Sequence, residues 1–421
     1  MDESSIRHLK ALGPPLAGYV RAGSRDNAII ARLISQGLPV GAGIVYDAAN
    51  SARSADLRSA ANEAGLECVL DPKSVELSTV GGFDRSSIAS LPWAGSAPHQ
   101  PADLEGSSRT QFVELMAIAA VETGASAMLA PTHFLDELSP WLSVDTVLAS
   151  MLREALDRLG AKNVAIYYPL VTTLQVARSS GFGTRIRRSL ERLADERVID
   201  AIWLRIHPFG TTSAGPLSLT RYVDFARSLH PTGVPLVGER TGTVGLALLG
   251  FNAVGGIESS VTFGDRYDHG ALKKPSTGSG FVPPPRVYLQ EVGAMVDRSV
   301  AEGLYERRGI KGRHQCGIGC CPRGIVDTLD DPRRHFLVNR ASETSRLSAV
   351  PEGARPEHYL STWLRPASDR MIQVVKAAPS LAGHRVRLDN WRMTLMKLLD
   401  EGAPAASVAL VPTGRRLRRT A

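Results

Sequence analysis

The sequence predicts an α/β fold, a (β/α)8 TIM barrel followed by a C-terminal helical extension. Eight short, nearly continuous apolar runs alternate with amphipathic stretches over residues 15–257, as in a parallel sheet covered on both faces. The 421 residues also leave room for a barrel of about 250 residues and an appendage. An open doubly wound sheet is the alternative, but no Gly-x-Gly-x-x-Gly turn follows the first strand.

The apolar runs predict the strands, because parallel strands buried on both faces show little polar alternation. The predicted strands cover residues 15–20, 40–46, 67–71, 126–131, 164–168, 201–207, 234–239 and 253–257. Between them, apolar residues recur at spacings of three and four, which predicts helices. The clearest predicted helices cover residues 27–36, 144–159, 185–194 and 218–229.

Two stretches rich in Ser, Gly and Pro interrupt this alternation. Residues 72–110 predict a long loop after the third strand, and residues 273–285 predict either a linker or a substrate-gripping loop after the eighth. We therefore predict a catalytic barrel over residues 1–300 and a zinc knuckle with C-terminal helices over residues 301–400. Residues 401–421 are predicted to form a basic, flexible tail.

Composition narrows the class of protein. Hydrophobic residues make up 43% and charged residues 22% of the chain, as in globular proteins, and no apolar run approaches the roughly 20 residues of a membrane span. The N-terminus lacks the apolar core of a signal peptide, so we expect a soluble, cytoplasmic protein. The net charge of +7, the pI near 9.4 and the arginines of residues 415–419 favour a polyanionic partner. A terminal arginine cluster can also be only a solvated end.

Three of the four cysteines fall within six residues. Cys316, Cys320 and Cys321 lie on a glycine-rich turn, and His335 follows in the next segment. Thiolate sulfur and imidazole nitrogen are the ligands of tetrahedral zinc. We predict a structural Zn²⁺ site made by these four residues. Adjacent cysteines seldom bind the same ion, so His314 is the alternative fourth ligand.

The active site of a TIM barrel lies at the carboxyl ends of its strands. Two carboxylates from different strands can divide the roles of nucleophile and general acid there. Asp71 with an acid of the eighth strand, Glu258 or Asp265, is the predicted catalytic pair, although Asp71 before a proline could instead cap a turn. The predicted substrate-binding residues also close strands: His133, Tyr168, Arg205, His207 and Glu239. The histidines could instead be satisfied hydrogen-bonding groups, and the tyrosine could fill the barrel.

The C-terminal segment carries a resemblance. The run from His335 to Glu343, His-Phe-Leu-Val-Asn-Arg-Ala-Ser-Glu, and the run His358-Tyr-Leu-Ser-Thr-Trp-Leu resemble the zinc-ligand histidine, the Arg-Ala-x-Glu run and the following helix of the queuine and archaeosine tRNA-guanine transglycosylase superfamily. Val-Leu-Asp71-Pro resembles the strand that ends in the aspartate of that family's base pocket. The cysteine spacing and the strand-eight motif depart from the family pattern, which favours a remote branch that modifies DNA.

The resemblance implies an exchange of guanine in DNA for a 7-deazaguanine, of the 7-cyano-7-deazaguanine type, through a carboxylate nucleophile. It implies that Asp71 lies beside the exchanged base, that the nucleophile comes from strand eight, and that zinc is structural. Helper proteins are possible partners. Three alternatives remain open: base exchange in tRNA, a catalytically inactive zinc-containing nucleic-acid-binding barrel, and a barrel enzyme that binds a phosphorylated small molecule near Gly255 and Gly256.

Overall fold

The computed structural model describes residues 16–137, 139–261, 266–275, 286–314 and 316–402. Eight parallel strands form a closed barrel. They are β1 (Ala17–Arg21), β2 (Gly43–Asp47), β3 (Glu67–Asp71), β4 (Ala127–Leu129), β5 (Ala165–Thr173), β6 (Ala201–His207), β7 (Leu236–Gly238) and β8 (Gly256–Ser260). Each strand pairs with the next, and β1 pairs with β8 to close the barrel. The predicted TIM barrel is therefore confirmed.

The predicted strands match the observed ones closely. β3 and β6 have the predicted bounds, whereas β5 runs five residues further, to Thr173. The extra length pairs with a short strand, Phe134–Leu135, which continues the line of β4 after a break. The residues of β5 alone do not reveal that this strand also pairs with Phe134–Leu135.

Helices surround the barrel and form the C-terminal region. Those before residue 275 are α1 (Asn27–Ser35), α2 (Ala55–Glu63), α3 (Ser74–Leu77), α4 (Val80–Phe83), α5 (Ser86–Ala89), α6 (Gly106–Glu122), α7 (Trp141–Arg158), α8 (Leu174–Ala177), α9 (Phe182–Asp195), α10 (Pro216–Ser228), α11 (Gly245–Gly250) and α12 (His269–Leu272). The stretch over residues 72–110, predicted as a loop, holds the single-turn helices α3, α4 and α5 as well as the start of α6.

The C-terminal region begins with an antiparallel hairpin of β9 (Val287–Leu289) and β10 (Ala294–Val296). Its helices are α13 (Arg298–Tyr305), α14 (Arg308–His314), α15 (Ile325–Asp330), α16 (Pro332–Ser348), α17 (Arg355–Tyr359), α18 (Arg365–Ala377) and α19 (Ala382–Asp400). A π-helical turn, Leu360–Leu364, joins α17 to α18. The predicted domain limits at residues 300 and 400 stay predictions, and residues 403–421 of the predicted basic tail lie outside the described residues.

The barrel interior is filled by side chains and is not an open pore. Tyr19, Tyr167 and Trp203 are buried inside it with small apolar residues. Glu67 is also buried there, and its Oε2 accepts hydrogen bonds from Tyr19 Oη at 2.9 Å and Tyr167 Oη at 2.6 Å. These bonds satisfy a carboxylate that would otherwise be costly to bury.

Helix α16 lies against the amino-terminal end of the barrel. Ser348 Oγ lies 3.2 Å from both the backbone N and O of Leu16. At the same end, Gly41 has a φ of +124°, and an added Cβ would lie 2.4 Å from Gly18 O. Only glycine fits this close approach. The C-terminal region is therefore tied directly to the first strand of the barrel.

Among the residues described, no helix combines the length and apolar character needed to cross a membrane.

Candidate active site and metal centre

The mouth of the barrel, where the strands have their carboxyl ends, is centred on Arg21, the last residue of β1. Its Nη1 lies 2.5 Å from Asp71 Oδ2 and 3.3 Å from Asp47 Oδ1. Its Nη2 lies 2.6 Å from Glu239 Oε1, and its Nε lies 3.0 Å from Glu258 Oε1. One buried guanidinium thus joins carboxylates that come from β2, β3, β8 and the residue after β7.

Lys73 adds a second buried cation on the β3 side. Its Nζ lies 2.7 Å from Asp47 Oδ1 and 3.4 Å from both Asp71 Oδ2 and Glu76 Oε1. Its backbone has a φ of +65°, which is uncommon for a residue with a side chain and is found most often at functional sites. The turn after β3 therefore directs the lysine back over Asp71.

Arg205 on β6 completes the arrangement. Its Nη2 lies 2.6 Å from Glu239 Oε1 and 3.6 Å from Asp71 Oδ2. We call these residues the mouth network: Arg21, Asp47, Asp71, Lys73, Glu76, Arg205, Glu239 and Glu258. Five carboxylates face three cations in it, so the acids do not share equal electrostatic surroundings.

The two predicted catalytic acids of the mouth network have opposite shifts in pKa. Burial opposes ionisation of Asp71, but Lys73, Arg21 and Arg205 outweigh it and hold the pKa of this carboxyl well below its usual range. Burial raises the pKa of Glu258, and Arg21 offsets this only in part. Asp71 is therefore an ionised carboxylate under conditions in which Glu258 more readily holds a proton.

The structure brings four predicted site residues together: Asp71, Arg205, Glu239 and Glu258. Their positions at strand ends follow from the alternation of the strands, which points every second side chain into the barrel. The third predicted acid, Asp265, lies outside the described residues.

His207 lies at the rim of the mouth, beside a segment that follows β8. Its Nδ1 accepts a hydrogen bond from the backbone N of His269 at 3.0 Å. The ring of His269 stacks on Phe134 at 3.8 Å, and Arg205 lies 5.6 Å from the ring of Tyr267. Residues 266–275 therefore cover part of the mouth, with His207 at their edge.

The structure does not place Tyr168 and His133 at the mouth. Tyr168 packs in the layer between the barrel and its helices, whereas its neighbour Tyr167 points into the barrel. His133 is fully buried, with its Nδ1 at 2.6 Å from Asp145 Oδ1 on α7 and its ring stacked on Trp141. His133 is therefore placed to hold α7 against the barrel and Tyr168 lies in the outer layer, so their predicted contact with substrate needs correction.

Sequence reasoning missed Arg21, Asp47, Lys73 and Glu76. Arg21 and Asp47 are the last residues of β1 and β2, so the rule that selected Asp71 would have selected them too. Lys73 and Glu76 lie in the turn and short helix after β3, where nothing in the residue pattern indicates that they fold back over the barrel.

The predicted metal ligands converge in space. Cys316 Sγ lies 3.2 Å from Cys320 Sγ, which lies 3.6 Å from Cys321 Sγ. His335 Nδ1 lies 3.4 Å from Cys321 Sγ, and the four ligand atoms all lie within 4.8 Å of one another. A tetrahedral ion with Zn–S bonds of about 2.3 Å requires sulfur atoms roughly 3.8 Å apart. The group can therefore hold a metal ion such as zinc.

Hydrogen bonds around the cluster suit it to a metal. His335 Nε2 lies 3.0 Å from the carbonyl oxygen of Tyr288, and donation of its proton there leaves the Nδ1 lone pair facing the sulfur atoms. Thr328 Oγ1 lies 3.4 Å from Cys321 Sγ. Hydrogen bonds among the three thiols lower the pKa of Cys316 and raise that of Cys320. The side chain of His314, the alternative ligand, is outside the described part of the structure.

Solved structures resemble this chain in fold alone. A thiamine phosphate pyrophosphorylase from Pyrococcus furiosus is 12% identical, with a TM-score of 0.30 over 62% of this chain and 93% of that chain. A GH18 chitinase from Pseudoalteromonas aurantia is 11% identical, with a TM-score of 0.37 over 61% and 97%. An aldolase from Escherichia coli K12 is 9% identical, with a TM-score of 0.37 over 79% and 91%.

No family model matches the sequence. No curated protein matches it either. The fold is thus a TIM barrel with an attached cysteine and histidine cluster, and any finer assignment depends on the chemistry of the mouth network.

Proposed function

We propose that the chain is a base-exchange glycosyltransferase that replaces guanine in DNA by a 7-deazaguanine of the 7-cyano-7-deazaguanine type. The observation that carries the proposal is the pairing of Asp71 and Glu258 around Arg21, with opposite shifts in pKa. Exchange at an anomeric carbon needs one ionised carboxylate and one protonated carboxylic acid. The resemblance of the C-terminal segment to the transglycosylases supports the same reaction.

In the first step, Asp71 is the nucleophile. Its carboxylate attacks C1′ of the target nucleotide while the bond from C1′ to N9 of guanine breaks. The electron pair of that bond moves to the guanine, which takes the proton of Glu258. This gives a glycosyl ester on Asp71, a free guanine and an ionised Glu258.

In the second step, the incoming base repeats these events in reverse. Glu258 removes the proton from N9 of the 7-deazaguanine, and N9 attacks C1′. Asp71 leaves as a carboxylate, and Glu258 is protonated again. Two inversions retain the configuration of the sugar, and neither carboxylate is consumed. The ionisation states thus give the nucleophile role to Asp71, whereas the resemblance implies that the nucleophile lies on strand eight.

Arg21 and Lys73 serve this cycle by their charge. Both contact Asp71, so they stabilise its carboxylate each time it leaves C1′. Glu239 contacts Arg21 and Arg205 through Oε1, and its Oε2 accepts no hydrogen bond from the described residues although it is buried. We propose that this oxygen accepts an N–H of the bound base. His207, at the rim, is proposed to contact the flanking nucleotide.

The proposed substrate is DNA, which the net charge of +7 favours electrostatically. The target guanine must leave its base stack to reach a mouth of this kind. The metal proposed for Cys316, Cys320, Cys321 and His335 is zinc, which would fix the segment before α16 against the hairpin through the bond from His335 to Tyr288. Zinc would take no part in bond breaking.

Isotope exchange tests the proposal. The purified protein is incubated with duplex DNA that carries labelled guanine and with 7-cyano-7-deazaguanine, and nucleosides are identified by mass spectrometry after digestion. We expect loss of labelled guanine matched by gain of the deazaguanine nucleoside, with little exchange in tRNA. Asp71→Asn should abolish exchange, whereas Asp84→Asn, an acid of the same β3 loop outside the mouth network, should retain it. Exchange by Asp71→Asn at the parental rate would disprove the mechanism.

A further inference from the structure

A second cavity lies on the flank of the barrel, apart from the mouth network. It has a volume of about 270 Å³ and is bounded by the hairpin β9–β10, by α16, α18 and α19, and by the segment after β7. None of its lining residues belongs to the mouth network. The cavity is therefore separate from the proposed catalytic site.

Aromatic rings form much of the cavity wall. Tyr288, Tyr359, Trp363 and Trp391 all line it, and Tyr359 and Trp363 meet edge to face with their ring centroids 6.1 Å apart. Trp391 is fixed by a hydrogen bond from Nε1 to Ala214 O at 2.6 Å. Tyr288, Tyr359 and Trp391 are buried, whereas Trp363 is only partly buried and offers a ring face on which a planar ligand can stack.

Polar groups mark two ends of the cavity. Glu343 is buried at one end, where its Oε1 accepts a hydrogen bond from Tyr288 Oη at 2.7 Å. Its Oε2 forms a buried ion pair with Arg340 Nη1 at 3.3 Å and accepts no hydrogen bond of good geometry from the described residues. Arg346 is exposed at the rim, with its guanidinium 5.3 Å from the ring of Trp363. A ligand would thus meet an acceptor inside and a cation at the entrance.

The backbone is irregular where the cavity forms. The π-helical turn Leu360–Leu364 contributes Thr362, Trp363 and Leu364 to the lining. π-helical turns are rare and occur frequently at functional sites, because the extra residue per turn re-aims neighbouring side chains. Here the π-helical turn places the partly buried Trp363 in the lining of the cavity.

From this geometry we infer that the cavity binds a guanine nucleotide unit, either free in solution or turned out from a nucleic-acid strand. The base stacks on Trp363, and its adjacent N1–H and N2–H groups donate to Glu343. The phosphate lies at the rim against Arg346. Adenine cannot make the same contact, because its N1 is an acceptor where guanine has a donor. The site is separate from the proposed catalytic mouth and does not depend on the base-exchange reaction.

Calorimetric titration of the full chain with GMP, guanosine and AMP tests the inference. We expect saturable binding of GMP. Guanosine should bind about 10-fold more weakly because it lacks the charged contact with Arg346, and AMP more weakly still. Glu343→Gln and Trp363→Ala should each weaken GMP binding by about 10-fold or more. Arg346→Ala should weaken GMP and leave guanosine unchanged.

Two controls make the outcome decisive. Asp71→Asn should leave GMP binding unchanged, and so should Arg385→Ala, which alters α19 outside the cavity lining. Thermal unfolding of each variant verifies that it is folded. Absence of saturable GMP binding, or binding that survives both Glu343→Gln and Trp363→Ala, would overturn the inference, as would binding that Asp71→Asn alone abolishes.

Competition identifies the source of the nucleotide. An oligothymidine strand with a single guanine is added to the protein saturated with GMP, beside the same strand without guanine. Displacement of GMP by the guanine strand alone assigns the cavity to a nucleotide of a strand. Retention of GMP against both strands assigns it to a free nucleotide.

Discussion

Arg21 donates from Nε to Glu258 Oε1 across 3.0 Å, although both side chains are buried at the mouth of the barrel. The same guanidinium contacts Asp71 on β3. Because β1 lies between β8 and β2 in the sheet, Glu258 and Asp71 approach Arg21 from its two sides. A single cation of the first strand thereby holds the two proposed catalytic acids in place, whereas Lys73 and Arg205 act on Asp71 and make the electrostatic surroundings of the two acids unequal.

Replacement of Arg21 should lower the stability of the folded protein. Arg21→Leu removes the cation that contacts Glu258 and one of the cations that contact Asp47, Asp71 and Glu239, and we expect the free energy of unfolding to fall by about 3–5 kcal/mol. Urea denaturation followed by circular dichroism measures it. The matched control is Arg158→Ala, which removes an exposed ion pair with Glu114 and should cost less than about 1 kcal/mol. Equal effects of the two changes would argue against a central role for Arg21.

The opposite pKa shifts predict opposite dependences on pH. The pKa of Glu258 in the folded chain is raised above its unfolded value of about 4.3. Its contribution to the free energy of unfolding is therefore full below about pH 4 and is lost as the pH rises through the folded pKa. Glu258→Gln should accordingly lose less stability than the parent as the pH rises above about 4.3.

Asp71 should affect the free energy of unfolding at acidic pH. Its pKa in the folded chain is lowered, so its contribution is present above its unfolded pKa of about 3.9 and is lost as the pH falls through the folded value. Asp71→Asn should flatten the acid limb of a plot of unfolding free energy against pH and leave the alkaline limb as in the parent. An unchanged acid limb would contradict the assignment of Asp71 as the ionised acid.

Two adjacent tyrosines of β5 offer a test of the barrel interior. Tyr167 donates to buried Glu67 Oε2 at 2.6 Å, and Tyr167→Phe should destabilise the protein by about 1–3 kcal/mol. The hydroxyl of Tyr168 has no hydrogen-bond partner among the described residues, so Tyr168→Phe should change stability by less than about 0.5 kcal/mol. Guanidinium denaturation compares the two. A larger loss of stability for Tyr168→Phe than for Tyr167→Phe would disprove the assignment of Tyr167 to the barrel interior and Tyr168 to the outer layer.

Metal analysis tests the cysteine and histidine cluster. We expect one zinc ion per chain by plasma mass spectrometry, and Cys320→Ser should reduce that content sharply. Treatment with a strong chelator should lower the unfolding temperature, because the energy of metal binding becomes folding energy at a structural site. Cys68→Ser is the control, since Cys68 is buried outside the cluster, and its zinc content should equal that of the parent. Full zinc in Cys320→Ser would remove this residue from the ligand set.

The sequence predicted the barrel well because parallel strands covered on both faces have a distinctive composition. It placed Asp71, Arg205, Glu239 and Glu258 at strand ends, and the structure brings these four together. The metal ligands followed from the bunching of cysteines, whose chemistry is restrictive.

The sequence could not predict features that depend on tertiary context. Side chains of a strand point alternately inward and outward, but the closed barrel determines which of them point inward. For this reason the sequence predicts Tyr168 at the mouth, whereas the structure places it in the outer layer. Lys73 reaches the mouth only through a left-handed backbone residue, and the flank cavity gathers residues more than 140 positions apart.

The seating of α16 on the first strand bears on how the chain folds. β1 pairs with β8, about 240 residues later, and Leu16 bonds to Ser348 across 332 residues. During synthesis the first strand therefore emerges long before β8 and α16, although β2 follows it closely. Contacts between residues so far apart in sequence slow folding, so we expect the nascent chain to hold an exposed edge on β1, open to chaperones, until β8 has left the ribosome, and an uncovered end of the barrel until α16 follows.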